Sequence, residues 1–485
     1  MTPEPSPPLP LPLPLPTPQR LRAHLQAMGQ GLLERETAVR LLLLAALAGE
    51  HLLLIGPPGT AKSELARRLA RVFDGARWFE RLLTRFSTPE ELFGPLSLQA
   101  LEHDRHERLI DGYLPTAGVA FLDEVFKANS AILNALLTLL NERRYDNGTQ
   151  RLAVPLISVV GASNEPPGDE SLQAFHDRFL LRVPVAPVGD ASFADLLRLD
   201  EAAPPPLPSP SPSAAPITQD ERAAIAAARR RVALGDEALA ALSALRAQAA
   251  ALGLAVSDRR WRQLLGLMRC AAATEGRATL DALDLWLAPY AVAADAQHLP
   301  ALQRWVDEQL LQAAPQPLHW LGQAVTAFEK QLELEQRAPA DPAHGAADSA
   351  GDDGAGKLAL ARALGGRDDG AGALRMVSAV LEDRQRRRWS PLHVAARLQQ
   401  LDGLLAQLAV SRAELQAGHD ALAARLAGRL WLPPALAGRW LDSHRATLAT
   451  LDGLAQRLQA CRAGFAAQPV DAGLAQPAPE PLVLD

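Results

Sequence analysis

Gly56-Pro57-Pro58-Gly59-Thr60-Ala61-Lys62-Ser63 stands between the apolar run His51–Ile55 and a helical pattern over Ser63–Val72, and its reading decides the fold. The stretch fits G-x-x-x-x-G-K-[ST] with its second glycine displaced: Ala61 directly precedes Lys62, and Gly59 comes two residues earlier. A strand that ends in such a loop and continues as a helix is the context in which this pattern holds phosphate. Gly59 lets backbone N–H groups curl around phosphate oxygens, and the helix N-terminus adds partial positive charge. Lys62 is placed to neutralise β- and γ-phosphates, and Ser63 offers a hydroxyl to Mg²⁺. All eight residues are candidate ATP contacts.

About sixty residues on, the apolar strand Val119–Leu122 ends in Asp123 and Glu124. Asp123 is the candidate for the Mg²⁺ shell and Glu124 for polarising an attacking water. A further run, Leu156–Ala162, ends at Ser163-Asn164. In doubly wound folds ligands bind at the carboxyl edge of the sheet, so Asn164 is placed to orient that water. With Arg77–Leu83 and Phe179–Val185 there are five short apolar runs interleaved with helical patterns. That alternation predicts a five-stranded, mostly parallel sheet covered by helices on both faces.

The rest of the 485-residue chain divides by composition. Residues 1–18 are a Pro-rich leader without the basic and apolar regions of a signal peptide. Residues 19–200 form the α/β core, 201–216 a Pro-rich linker, 217–300 an α-helical lid capped by Thr218, and 301–485 an all-α region. A stretch near 337–372, rich in Ala, Gly and Asp, reads as a flexible loop. Beyond Ser390-Pro391, leucines at alternating steps of four and three predict two helices in an antiparallel hairpin. The net charge of −6 gives no reason to expect nucleic-acid binding. The two cysteines, Cys270 and Cys461, are far apart with no ligand partners nearby, which argues against a disulfide framework and a zinc site. Leu41–Ile55 is too short to span a bilayer, so stable membrane insertion is not expected and the cytoplasm is the simplest location.

These three motifs in this order, with Asp177-Arg178-Phe179 before the last strand, resemble the AAA+ superfamily and within it the MoxR family. The run Thr84–Leu96, Ile132–Leu137 with Asn141-Glu142-Arg143, and Val256–Trp261 resemble its RavA branch. The agreement is dense over 20–190, thinner over 217–300 and faint beyond. The displaced glycine is a form this resemblance accommodates. The resemblance implies that Arg178 is an arginine finger for a neighbouring subunit's nucleotide. It also implies that Arg259 is the lid's phosphate sensor, with Arg260 adjacent as the other choice. Leu101–Leu114 resembles the family's insertion in the second helix. Arg143–Pro155, with the turn signal Asp146-Asn147-Gly148, reads equally as a pore-facing hairpin or an ordinary surface one.

The resemblance further implies a ring, expected to be a homo-hexamer, and a von Willebrand factor A domain partner. The branch's decarboxylase-docking domain would fall at about 335–390, where this chain is short and lacks alternating apolar residues, which argues against a lysine decarboxylase partner. The expected function is ATP hydrolysis coupled to chaperone-like remodelling of a partner complex. The alternative is an ATP-dependent scaffold or switch with little turnover.

Overall fold

A computed structural model describes residues 15–165, 172–199, 215–295, 297–311, 318–338 and 387–480. Most of the leader, of the linker 201–216 and of the stretches near 337–372 and 335–390 lies outside these residues. The described residues belong to two compact units. The first comprises Met1–Leu310 with Arg425–Gly438, and the second Leu311–Ala424 with Arg439–Asp485.

In the first unit, α1 (Pro18–Gly29) and α2 (Glu36–Ala48) lead into β1 (His51–Ile55), and α3 (Lys62–Ala70) follows the loop. Next come β2 (Trp78–Leu82), the short α4 (Pro89–Phe93) and α5 (Leu98–Leu101), β3 (Val119–Asp123) and α6 (Ser130–Glu142). The hairpin β4 (Arg144–Asn147) and β5 (Gln150–Ala153), then β6 (Ser158–Ser163), α7 (Gln173–His176), β7 (Phe179–Pro184) and α8 (Asp190–Arg198) complete the core. The five predicted strands form one parallel sheet in the order β2-β3-β6-β1-β7. Every residue of β1 is buried, as a strand covered on both faces requires. One cover is α2, with ten buried residues and a left-handed Gly49 ending it. α6 begins at Asn129, whose side chain accepts from the Ile132 N–H at 3.0 Å.

The predicted hairpin is present, and it interlocks with the Leu101–Leu114 stretch. The Asn147 side chain accepts from the Arg108 N–H at 2.7 Å and donates to the Arg108 carbonyl at 3.1 Å.

The lid starts at α9 (Gln219–Ala228), where Thr218 and Glu221 form a capping box. It continues through β8 (Ala233–Leu234), α10 (Asp236–Ala251), α11 (Asp258–Thr274), β9 (Thr279–Leu280), α12 (Ala288–Val292) and α13 (Leu299–Leu311). Arg425–Gly438 packs into this unit through buried Leu430, Trp431 and Leu432. Trp431 Nε1 donates to Thr274 Oγ1 at 2.8 Å, and the Leu430 N–H donates to Glu275 at 2.7 Å. Buried Arg429 pairs with Asp284 at 2.8 Å and with Asp281.

The second unit contains α14 (Leu318–Arg337), α15 (Pro391–Ala427) and α16 (Pro434–Ala466), the last two continuing into Arg425–Gly438. The predicted leucine seams are buried at Leu401, Leu408 and Leu415 on α15 and at Leu448, Leu451 and Leu458 on α16. Leu321, Val325 and Phe328 of α14 complete this core, so the expected pair of helices is a three-helix arrangement.

Candidate functional site

The loop's backbone is set by close approach and by handedness. A side chain at Gly56 would collide with the Val185 carbonyl, because the loop leaves the sheet hard against the end of β7. Gly59 and Ala61 both take left-handed backbone, with φ of 80° and 65°. Ala61 thus adopts the conformation that the displaced glycine would have taken without strain. Thr60 Oγ1 donates to the Pro57 carbonyl at 2.9 Å and closes the turn.

Lys62 is buried, and its Nζ donates to the carbonyls of Gly56 at 2.6 Å and Pro57 at 2.9 Å. It also reaches Asn164 Oδ1 at 3.3 Å, while Asn164 Nδ2 donates to Glu124 Oε1 at 2.6 Å. Three residues predicted from separate motifs therefore form one hydrogen-bonded line at the carboxyl edge of the sheet. Burial pulls the Lys62 ammonium below the usual lysine value, and the charges of Asp123 and Glu124 act the other way. Asp123 Oδ1 accepts from the Glu124 N–H at 3.0 Å, and Glu124 has a left-handed φ of 51° that turns its carboxylate off the strand. Ser63 follows in the first turn of α3. The set suits MgATP: an N–H-lined loop, one cation, a hydroxyl and two acids.

Sequence reasoning missed the brace beneath the loop. Arg35, buried before α2, donates to the Thr60 carbonyl at 3.3 Å and to the Ala186 carbonyl at 2.6 Å. Neighbouring Glu34 accepts from the Gly189 N–H at 3.0 Å. A lone Arg-Glu pair ahead of an apolar helix carries no pattern that would mark it. A cavity of about 1130 Å³ lies against α1 and the outer face of α3, and none of the predicted site residues lines it.

Arg178 and Arg259 stand elsewhere. In the register His51↔Phe179, both sit near the amino edge of β7, while the loop leaves the carboxyl edge. Four residue steps along the strand separate these ends by roughly 13 Å. Asp177 organises this edge: it pairs with Arg259 at 2.5 Å and Arg260 at 3.0 Å. Arg260 is buried and also donates to the Phe179 and Leu180 carbonyls at 2.8 and 3.0 Å. It bolts the lid to β7, whereas Arg259 stays partly exposed. Arg178 is half-buried, and its Nε has no hydrogen-bond partner among the described residues.

A parallel sheet with a phosphate loop on β1, two acids ending β3 and a helical lid defines an AAA+ core. Residues 19–203 match the MoxR domain in the MoxR-vWA-beta-propeller ternary systems, and residues 237–306 match an AAA lid domain. Residues 19–203 and 237–306 are thus similar to the core and the lid of MoxR-type AAA+ proteins. Two uncharacterized proteins of Methanocaldococcus jannaschii are 41% identical over 254 residues (52% of this chain, 66% of that one) and 52% identical over 171 residues (35% and 45%). A protein named chaperone MoxR1, of Mycobacterium tuberculosis, is 28% identical over 156 residues, 31% of this chain and 40% of that one. The chain thus spans between two fifths and two thirds of the length of these relatives. Among the described residues no helix is long and apolar enough to cross a membrane.

Proposed function

We propose that the chain is a Mg²⁺-dependent ATPase that works as a ring of identical subunits, a hexamer on the family's pattern, and remodels a protein complex in the cytoplasm. The observation that carries this reading is the division of the site. The Lys62–Asn164–Glu124 line lies at one end of the sheet, and Arg178 and Arg259 lie at the other. Hydrolysis needs both, so a neighbouring subunit would supply the arginines.

In this reading Gly56–Ser63 hold the phosphates, and Ser63 and Asp123 hold Mg²⁺, which would shield the phosphate charge. Glu124 draws a proton from water, and Asn164 fixes the direction of that carboxylate. The neighbour's Arg178 stabilises charge on the transferring phosphoryl group. Its Arg259, on that subunit's lid helix α11, contacts phosphate and reports nucleotide state as lid movement, with Asp177 tying it to the core. The MoxR domain's description supports a von Willebrand factor A domain partner, and the name of the mycobacterial relative supports a chaperone-like output. The RavA-like runs Thr84–Leu96, Ile132–Leu137 with Asn141-Glu142-Arg143, and Val256–Trp261 support a reading near that branch, and the short stretch at about 335–390 argues against its decarboxylase as a partner.

The test is steady-state ATP hydrolysis against protein concentration. Specific activity is expected to rise with concentration and to fall at least a hundredfold in Glu124→Gln and Arg178→Ala, with ATP binding kept in Glu124→Gln. Turnover of the parent chain no faster than that of Glu124→Gln at every concentration would instead support an ATP-dependent scaffold or switch.

A further inference from the structure

The divided site requires a neighbour, and two unpartnered surfaces on this chain fit each other. The first is α8. None of its residues is buried, and Phe193, Leu196 and Leu197 make one stripe at helical spacing, 53%, 40% and 70% exposed. Asp190, in the first turn, flanks that stripe. The helix starts at Gly189, whose N–H is held by Glu34, and Arg35 beside it reaches Thr60 of the phosphate loop. α8 therefore belongs to the nucleotide edge.

The second surface is a groove of about 240 Å³ between α10 and α11, lined by Leu242, Ser243, Arg246, Trp261, Arg262 and Leu265. Leu239, one turn before Leu242 and 51% exposed, extends its apolar floor. Arg246 and Arg262 are exposed and form no ion pair among the described residues. Arg262 lies one turn beyond Arg259 on α11, so the groove adjoins the edge that carries Arg259 and Arg178. One face is apolar with an acidic flank and lies on the side of the Gly56–Ser63 loop. The other is apolar with a cationic rim and lies beside the arginines.

We propose that α8 of one subunit seats in the α10–α11 groove of the next copy. Phe193, Leu196 and Leu197 cover Leu239, Leu242 and Leu265, and Asp190 meets the Arg246–Arg262 rim. Because the two patches differ, the contact is head-to-tail and passes from copy to copy, as a ring requires, rather than stopping at a dimer. It rests on the proposed ring ATPase and names the contact that delivers Arg178 and Arg259 to the neighbour's site.

The test is disulfide trapping in the full chain with Leu197→Cys and Leu239→Cys, both exposed positions. The native Cys270 and Cys461 are buried, which keeps the background low. Mixing the two single variants with ATP and a mild oxidant is expected to give a band of twice the chain mass that neither variant gives alone. A second variant, Phe193→Asp, is expected to raise the concentration for half-maximal specific activity at least tenfold. Four results overturn the contact. A preparation whose activity still rises with concentration but gives no mixed band keeps the ring and removes this interface. A band from Leu197→Cys alone means two α8 helices face each other. Ring closure within one chain in the double variant means that the groove is filled by its own helix. The absence of both the band and the concentration dependence removes the ring ATPase and the contact together.

Discussion

Ala61 stands at φ 65° where the phosphate-loop pattern has glycine. A non-glycine residue held in that region stores about 1 kcal/mol or more of strain. Ala61→Gly is therefore expected to raise stability by about 1 kcal/mol, read as a higher denaturant midpoint at unchanged slope, and a lower midpoint would refute the strain. The sequence showed the displaced glycine but could not say that positions 59 and 61 would both turn left-handed. Arg259 and Arg260 were indistinguishable there for a similar reason, since adjacent arginines on a helix differ only in which face is buried. Arg260 meets the backbone carbonyls of Asp177, Phe179, Leu180 and Ala291 and the Asp177 carboxylate, so Arg260→Ala should cost about 3–5 kcal/mol. Arg259→Ala should cost under about 1 kcal/mol, because its pair is partly in solvent, and should act on turnover instead. Equal losses of stability for the two would undo that assignment.

At the scale of elements, the five strands were legible because parallel strands covered on both faces read as short unbroken apolar runs. Junctions between elements were not, since their partners lie far apart in the chain. Glu50, just before β1, shows this: it accepts from Gln263 of α11 at 2.7 Å across 213 residues. Burial pushes its carboxyl up to about 7 from an ordinary 4.5, although the Gln263 hydrogen bond and the charges of Arg143, Arg229 and Arg259 oppose the rise. Between those values the folded chain holds the proton more tightly than the unfolded chain does. Its stabilising contribution is full below pH 4.5 and is lost as pH rises through 7. Relative to Glu50→Gln, the parent chain should lose up to about 3 kcal/mol of stability as pH rises over that interval. A difference that does not change with pH would mean that Glu50 is charged throughout.

For the molecule as a whole, each unit has a hydrophobic core of its own, and the phosphate loop belongs to the first. Calorimetry should therefore resolve two transitions, with MgATP raising only the first. At a hundredfold excess over Kd the gain is about 2.7 kcal/mol, and an equal shift of both transitions would show that the units melt together. Composition suggested a boundary at 300, whereas the first unit runs to Leu310 and takes back Arg425–Gly438, a return that composition does not show. Nothing in Gly428-Arg429-Leu430-Trp431 signals that Arg429 will meet Asp284, 145 residues earlier. That return makes the first unit discontinuous in its gene. A recombination that replaced everything after residue 310 would also take away Arg429 and Trp431, leaving Asp284 and Glu275 buried with fewer partners. New helices can be grafted onto this core only if they bring a matching plug with them.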